Sequence, residues 1–252
     1  VPAFKTIGLQ ERLKILSGFA IELRKKKESL ALLITEETGK PISDALAEIQ
    51  KSIDALEFIA LNAEAYLSYE KSSQLERFSG SIIRDPLGCI LTVMPYNYPL
   101  WQLVRILGSA LVLGNPILLK HSEVTAGVAH AIENIFRDLD SYFLQNIRIP
   151  VSGFETLIAD KRIRAVTLTG SQQAGRNLAM IAGRYLKKIV LELGGSDAYC
   201  LLADGDLDKA VTKMVAARMV NNGQSCIAAK RFFVHESLYD AFKEKLFVEI
   251  SK

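Results

Sequence analysis

Between Ile90 and Leu193 strand-like apolar runs alternate with stretches of helical periodicity, and this alternation constrains the fold more than any other feature. Pro116-Ile117-Leu118-Leu119-Lys120 reads as a buried strand, as do Arg164-Ala165-Val166-Thr167-Leu168-Thr169 and Lys188-Ile189-Val190-Leu191. Strands joined by helix-length connections run parallel, and those connections cover both faces of the sheet. The expectation is an α/β chain built on a Rossmann-like parallel sheet.

The flanking segments follow other patterns. Amphipathic helices are predicted over about Leu9 to Leu33 and Ile42 to Tyr69. Between Ser72 and Cys89, Arg77-Phe78-Ser79-Gly80-Ser81-Ile82-Ile83-Arg84 mixes polar and apolar residues as extended hairpin strands do. Past Gly194-Gly195 a second domain begins, with Ala198 to Leu202, a helical stretch from Asp206 to Val220 and a strand from Arg231 to His235. The division expected is therefore 1–71 with 89–193, a hairpin at 72–88, and the start of a second α/β domain at 194–252.

Composition narrows the function classes. With 49% hydrophobic residues, 23% charged residues and a net charge of +3, the chain can bury a substantial core and has no excess of cations suited to nucleic acid. Gln102 and Arg105 interrupt the most apolar helix and Gly114-Asn115-Pro116 ends it, so no membrane span is expected; no signal peptide is read in the sequence either, which starts at Val1 rather than Met. Cys89, Cys200 and Cys226 show no metal-type clustering, and His121, His130 and His235 no ligand spacing, so no metal is expected. Cys89 and Cys200 fall in apolar runs and read as core. A working thiolate needs a reducing compartment, which points to the cytoplasm.

Two residues carry reactive chemistry. Cys226 closes Asn221-Asn222-Gly223-Gln224-Ser225-Cys226, and Glu192 closes the strand in Leu191-Glu192-Leu193-Gly194-Gly195. A thiol adds to a carbonyl carbon, and a carboxylate takes a proton from the water that hydrolyses the resulting thioester. Each residue alone also fits a plainer role, a small core side chain for Cys226 and a solvated strand end for Glu192. At the end of an apolar strand, Glu192 is expected to be partly desolvated, which raises its proton affinity.

These segments resemble the glutamate and cysteine motifs of the aldehyde dehydrogenase superfamily, and three further segments in the family's order extend the resemblance. Met94-Pro95-Tyr96-Asn97-Tyr98-Pro99 looks like the loop whose asparagine donates to the oxyanion. The resemblance thus implies that Asn97 and the Cys226 backbone N–H stabilise that charge; without it, Asn97 is a turn residue. Lys120-His121-Ser122-Glu123 matches the family's Lys-x-x-Glu after a strand, implying that Lys120 and Glu123 hold the adenosine ribose. Glu123 repels a ribose phosphate, so NAD is slightly favoured over NADP. Gly170-Ser171-Gln172-Gln173-Ala174-Gly175 matches the family's glycine turn and helix start, where a pyrophosphate sits against backbone N–H groups. With Tyr96 and Leu193, Gly170, Ser171 and Gly175 complete the implied cofactor contacts.

The segments around Asn97 and Cys226 look most like bacterial succinate-semialdehyde dehydrogenases. Arg105, eight residues after Asn97 in an otherwise apolar helix, matches the arginine that binds the substrate carboxylate, and Trp101 lines the same tunnel by resemblance. Taken alone, Arg105 also fits an arginine paired with a neighbouring acid. A second carboxylate-binding arginine found in some members is Val220 here, with Arg218 nearby but offset.

The resemblance implies a small-molecule aldehyde substrate, a homo-oligomer built through the hairpin, and neither a nucleic-acid nor a membrane partner. Family members run to about twice this length, so the catalytic domain is expected to be incomplete, and the 252 residues alone inactive or aggregation-prone. Two other classes remain open. One is a cysteine hydrolase with His121 or His130 as base, and the other is a dinucleotide-binding relative without turnover.

Overall fold

A computed structural model of the protein describes residues 6–68, 70–72 and 80–251. The chain forms two compact units, Val1–Glu192 and Leu193–Lys252.

In the first unit the helices α1 (Leu9–Lys25), α2 (Lys27–Thr38) and α3 (Ile42–Leu67) follow one another ahead of the sheet. The amphipathic helices expected over about Leu9 to Leu33 are α1 and α2, which meet at Lys26, and α2 runs on to Thr38. The cationic run Arg24-Lys25-Lys26-Lys27 accounts for the break. Arg24 and Lys25 suit the last turn of α1, whereas Glu28 suits the first turn of α2, as the helix dipole favours. α2 stops at Gly39, which adopts φ +71° in the left-handed region. α3 buries Ala45, Glu48, Ile49, Ser52, Ile53 and Leu56 at helical spacing. Its predicted end at Tyr69 lies outside the described residues.

Short strands β1 (Glu70–Ser72) and β2 (Gly80–Ile82) pair antiparallel, Glu70 opposite Ile82 and Ser72 opposite Gly80. The remainder of the expected hairpin, including Arg77, Phe78 and Ser79, lies outside the described residues.

The strands that follow are β3 (Cys89–Met94), β4 (Ile117–His121), β5 (Leu144–Asn146), β6 (Ile163–Gly170) and β7 (Lys188–Leu193). They form one sheet in the order β5-β4-β3-β6-β7, with β3 parallel to both β4 and β6. Helices α4 (Trp101–Val112), α5 (Ala126–Asp138), α6 (Phe154–Ala159) and α7 (Gln172–Arg184) fill the connections. The chain progresses outward from β3 through β4 to β5, then returns to β6 on the other side of β3. The carboxyl ends of β3 and β6 therefore flank the switch point where open α/β sheets bind ligands. Buried Met94, Leu119, Leu103, Leu107 and Ile132 join the helical core, in which Phe19 stacks on Phe136 at 4.7 Å between centroids.

In the second unit β8 (Asp197–Leu201) pairs parallel with β9 (Ala229–Val234), and α8 (Leu207–Met219) and α9 (Tyr239–Ile250) contribute to a small core of Leu201, Val211, Met214 and Phe242. Cys200, expected in the core, is exposed. It pairs with Phe233 on the strand positions that alternate away from this core, and Phe233 is exposed too. Cys89 is buried, and that burial pushes its thiol above the ordinary range.

Candidate active site

Asn97 lies in the turn 95–100 between the carboxyl end of β3 and the start of α4, on the switch-point side of the sheet. Four hydrogen bonds from distant elements fix this turn. Lys40 Nζ donates to the Asn97 carbonyl at 2.7 Å. Glu48 Oε1 accepts from the backbone N–H groups of Leu100 and Trp101, both at 2.9 Å. His121 Nε2 lies 2.9 Å from the Pro99 carbonyl.

Local sequence explains how a lysine and a glutamate come to be buried here. Gly39 ends α2 in a left-handed conformation, and Pro41 takes the N-cap position of α3, so Lys40 occupies the tight turn between the two helices and projects inward. Glu48, on the apolar stripe of α3, meets Lys40 Nζ at 2.7 Å with both side chains fully buried. Leu100, the N-cap of α4, has no capping side chain of its own, and Glu48 supplies that cap from another helix. Burial pulls the Lys40 ammonium below its ordinary value, with Glu48 acting against that pull. The Lys40 ammonium also lies 4.3 Å from the centre of the Tyr98 ring.

His121 ends β4. Its Nδ1 accepts from the Ser122 backbone N–H at 2.9 Å and lies 2.7 Å from Thr125 Oγ1, so Nε2 carries the proton donated to Pro99. Desolvation lowers its pKa to about 4, keeping the ring neutral. With both nitrogens engaged in a buried site, His121 is unsuited to act as a hydrolase base. His130 is exposed on α5, 3.9 Å from Glu133.

Arg105, on α4, reaches Glu192 at 3.4 Å and donates to Gln102 Oε1 at 3.1 Å. This pairing with an acid was the plainer of the two readings of Arg105. The expected desolvation of Glu192 is corrected: its side chain is 51% exposed and that of Arg105 39% exposed. β7 is the edge strand of the sheet, so the apolar run before Glu192 is only half covered, and Val190 is exposed. Trp101 lies beneath Lys51, whose ammonium is 4.0 Å from the ring centre, and Tyr96 is exposed.

The implied cofactor residues occupy the carboxyl ends of β3 (Tyr96), β4 (Lys120 and Glu123), β6 (Gly170, Ser171 and Gly175) and β7 (Leu193). A cavity of about 400 Å³ is lined by Lys120, His121, Glu123, Asn146 and Arg148 together with apolar residues such as Ile147 and Ile149, and has the size for a nucleoside. Lys120, largely buried, lies 3.8 Å from the exposed Glu123 carboxylate. Arg148 on the cavity wall was not singled out by the sequence, and it adds a second cation to the lining beside Lys120. At the end of β6, Ser171 Oγ caps α7 by accepting from Ala174 N at 3.2 Å, and Gly175 N bonds the Ser171 carbonyl at 2.9 Å. A Cβ on Gly170 would meet only the Leu168 side chain, at 3.5 Å, an ordinary contact. Leu193 ends β7.

Cys226 belongs to the second unit, in a partly buried turn between α8 and β9. Three consecutive residues before it, Asn221, Asn222 and Gly223, hold φ of 55°, 55° and 72°. Asparagine tolerates this left-handed region through local polar contacts and glycine through its missing Cβ. Two cations then fasten the turn. Arg218 donates to the Gly223 and Ala229 carbonyls at 2.9 and 3.2 Å, and Lys230 donates to those of Cys226 and Gly195, both at 2.8 Å. Arg218, considered for the substrate, thus serves as a brace, and Lys230 was not anticipated. Among the described residues there is no cluster of three or more metal-ligating side chains and no helix long and apolar enough to cross a membrane.

The chain matches the aldehyde dehydrogenase family over residues 1–252 and belongs to it. It is 43% identical over 234 residues to the succinate-semialdehyde dehydrogenase [NADP(+)] of Mycolicibacterium paratuberculosis, covering 91% of this chain and 49% of that protein. It is 39% identical to the succinate semialdehyde dehydrogenase [NAD(P)+] Sad of Escherichia coli K12, covering 96% and 53% of the two. The crystal structure of succinic semialdehyde dehydrogenase from Streptococcus pyogenes with NADP+ superposes with a TM-score of 0.92 at 32% identity, over 97% of this chain and 54% of that one. The chain spans about half the length of the curated relatives it matches.

Proposed function

We propose that the gene product oxidises a short aldehyde bearing a carboxylate, of the succinate semialdehyde type, to the corresponding acid with NAD or NADP. The Cys226 thiolate adds to the aldehyde carbon, and the Asn97 side-chain amide with the Cys226 N–H donates to the oxyanion of the thiohemiacetal. The dinucleotide, when bound, supplies the acceptor for the hydride, and Lys120, Glu123, Gly170, Ser171, Gly175, Tyr96 and Leu193 are the residues assigned to hold it. Oxidation leaves the acyl group on Cys226 as a thioester. Glu192 then takes a proton from water as the water oxygen attacks, releasing the acid and restoring the thiolate.

The observation that carries the substrate class is the Arg105 guanidinium, 3.4 Å from Glu192 on an otherwise apolar helix. A guanidinium beside the proposed base can take a substrate carboxylate in a charge-assisted pair. The mycobacterial and E. coli relatives are named for succinate semialdehyde, which agrees with this reading. Cofactor preference is a balance between Glu123, which disfavours a ribose phosphate, and Lys120 and Arg148, which favour one. A homo-oligomer in the cytoplasm, built through the hairpin around β1 and β2 and with 194–252 serving the catalytic domain, completes the proposal.

The test is kcat/KM of the whole gene product for succinic semialdehyde against butanal, with Arg105→Met alongside. The expected result is a preference of about a hundredfold or more for the charged aldehyde, largely abolished in the variant. Equal rates with both aldehydes would return Arg105 to a structural role, and no dinucleotide reduction with either would reject the dehydrogenase reading.

A further inference from the structure

The Asn97 turn is held by charges and dipoles that lie outside any catalytic role assigned so far. Lys40 binds the carbonyl of Asn97 itself, and Glu48 binds the two N–H groups that start α4, three and four residues on. The two side chains are joined at 2.7 Å and fully buried. His121 holds the intervening Pro99 carbonyl. The backbone of the turn is thereby fixed at three successive points by α3, by the turn before it and by β4.

An oxyanion donor works through placement. Its benefit depends on the N–H being aimed where charge develops, and a displacement of about 1 Å can lower a rate by about a hundredfold. A fully buried ion pair is a poor way to gain stability alone, since apolar residues of equal volume often serve as well, whereas it is well suited to fixing one geometry. We infer that Lys40 and Glu48 are positioning residues for Asn97, with the Lys40 to Asn97 carbonyl bond setting the orientation of the side-chain amide. This inference rests on reading Asn97 as the oxyanion donor.

The test compares Glu48→Gln with Lys40→Met/Glu48→Gln in the whole gene product. Glu48→Gln keeps a side-chain oxygen able to accept from Leu100 and Trp101 but leaves the buried Lys40 ammonium without its carboxylate, whereas the double variant strands neither charge, so the second substitution removes the Lys40 bond to Asn97 and relieves that unpaired charge. The measurement is the rate constant of the first-turnover burst of reduced dinucleotide, with KM for aldehyde and cofactor and with circular dichroism and melting temperature. The Lys40→Met step is expected to slow the burst about tenfold while each KM stays within about twofold. Asn97→Ala is expected to slow it about a hundredfold, and on that background the Lys40→Met step should change the rate by less than about twofold. A burst unchanged by the Lys40→Met step, an equal loss on both backgrounds, or unfolding of the double variant while Glu48→Gln stays folded would overturn the inference and leave Asn97 in its role. An Asn97→Ala enzyme with an undiminished burst would instead remove the oxyanion reading, and the inference with it.

Discussion

The turn that carries Asn97 and the turn that carries Cys226 solve the same problem by opposite means. The first is fixed by fully buried groups, Lys40 and Glu48, with the neutral ring of His121 beside them. The second is fixed by three left-handed residues and by the cations Arg218 and Lys230, which hold backbone carbonyls nearer the surface. A buried fastening depends on every member, because a group that loses its partner cannot turn to water. A surface fastening is tolerant, because water replaces what is lost. Stability and pH should therefore separate the two turns clearly.

The largest effect is expected from Lys40→Met alone. It leaves Glu48 as an unpaired carboxylate in a fully buried site, and breaking such a pair typically costs about 3–5 kcal/mol. Denaturant unfolding should show that loss, and the further change to Lys40→Met/Glu48→Gln should restore most of it. A Lys40→Met protein within about 1 kcal/mol of the wild type would mean that the site admits water, and the contrast between the turns would lose its basis.

Next in size is the response to acid. The folded state holds the His121 pKa at about 4, below the ordinary 6.5, so the unfolded chain binds the proton more readily. The stability associated with the neutral ring is fully present above about pH 6.5 and is lost as pH falls toward 4. The difference in pKa corresponds to about 3 kcal/mol over that window. His121→Asn should flatten the stability profile between those limits, measured by unfolding at successive pH values. Equal slopes for wild type and variant would show that the ring is hydrated and titrates normally.

The sequence carried much of this arrangement because the informative runs are local. The strands β4, β6 and β9 and the turns after them follow from apolar continuity and glycine placement, and the residues resembling the family's motifs fall at the strand ends where a Rossmann-like sheet binds ligands. Glu48 was also legible in principle, as a charge on the stripe of Ala45, Ile49, Ser52, Ile53 and Leu56, and that placement called for a partner. Its partner was not legible, because Lys40 meets it only once the Gly39 and Pro41 turn has folded. The half-open setting of Glu192 escaped for a related reason. An apolar run does not say whether its strand lies at the centre or the edge of a sheet, and β7 is at the edge. Cys200 was misjudged because the core of the second unit draws on the alternate residues of β8, Tyr199 and Leu201.

The smallest effect, and the sharpest contrast with Lys40, is expected at Lys230. Its ammonium joins the carbonyls of Cys226 and Gly195, both at 2.8 Å, from an exposed position. Lys230→Met removes two donors without stranding a charge, and both carbonyls can be rehydrated, so the stability loss should stay below about 1 kcal/mol. The local consequence should be larger than the global one. The turn would keep its left-handed residues and the Arg218 brace but lose the link from Cys226 to the start of β8, so amide exchange at 224–228 should accelerate while exchange in α8 stays unchanged. Slow exchange in that turn despite the substitution would show that backbone conformation alone holds Cys226. A stability loss as large as that of Lys40→Met would instead show that both turns depend on buried charge.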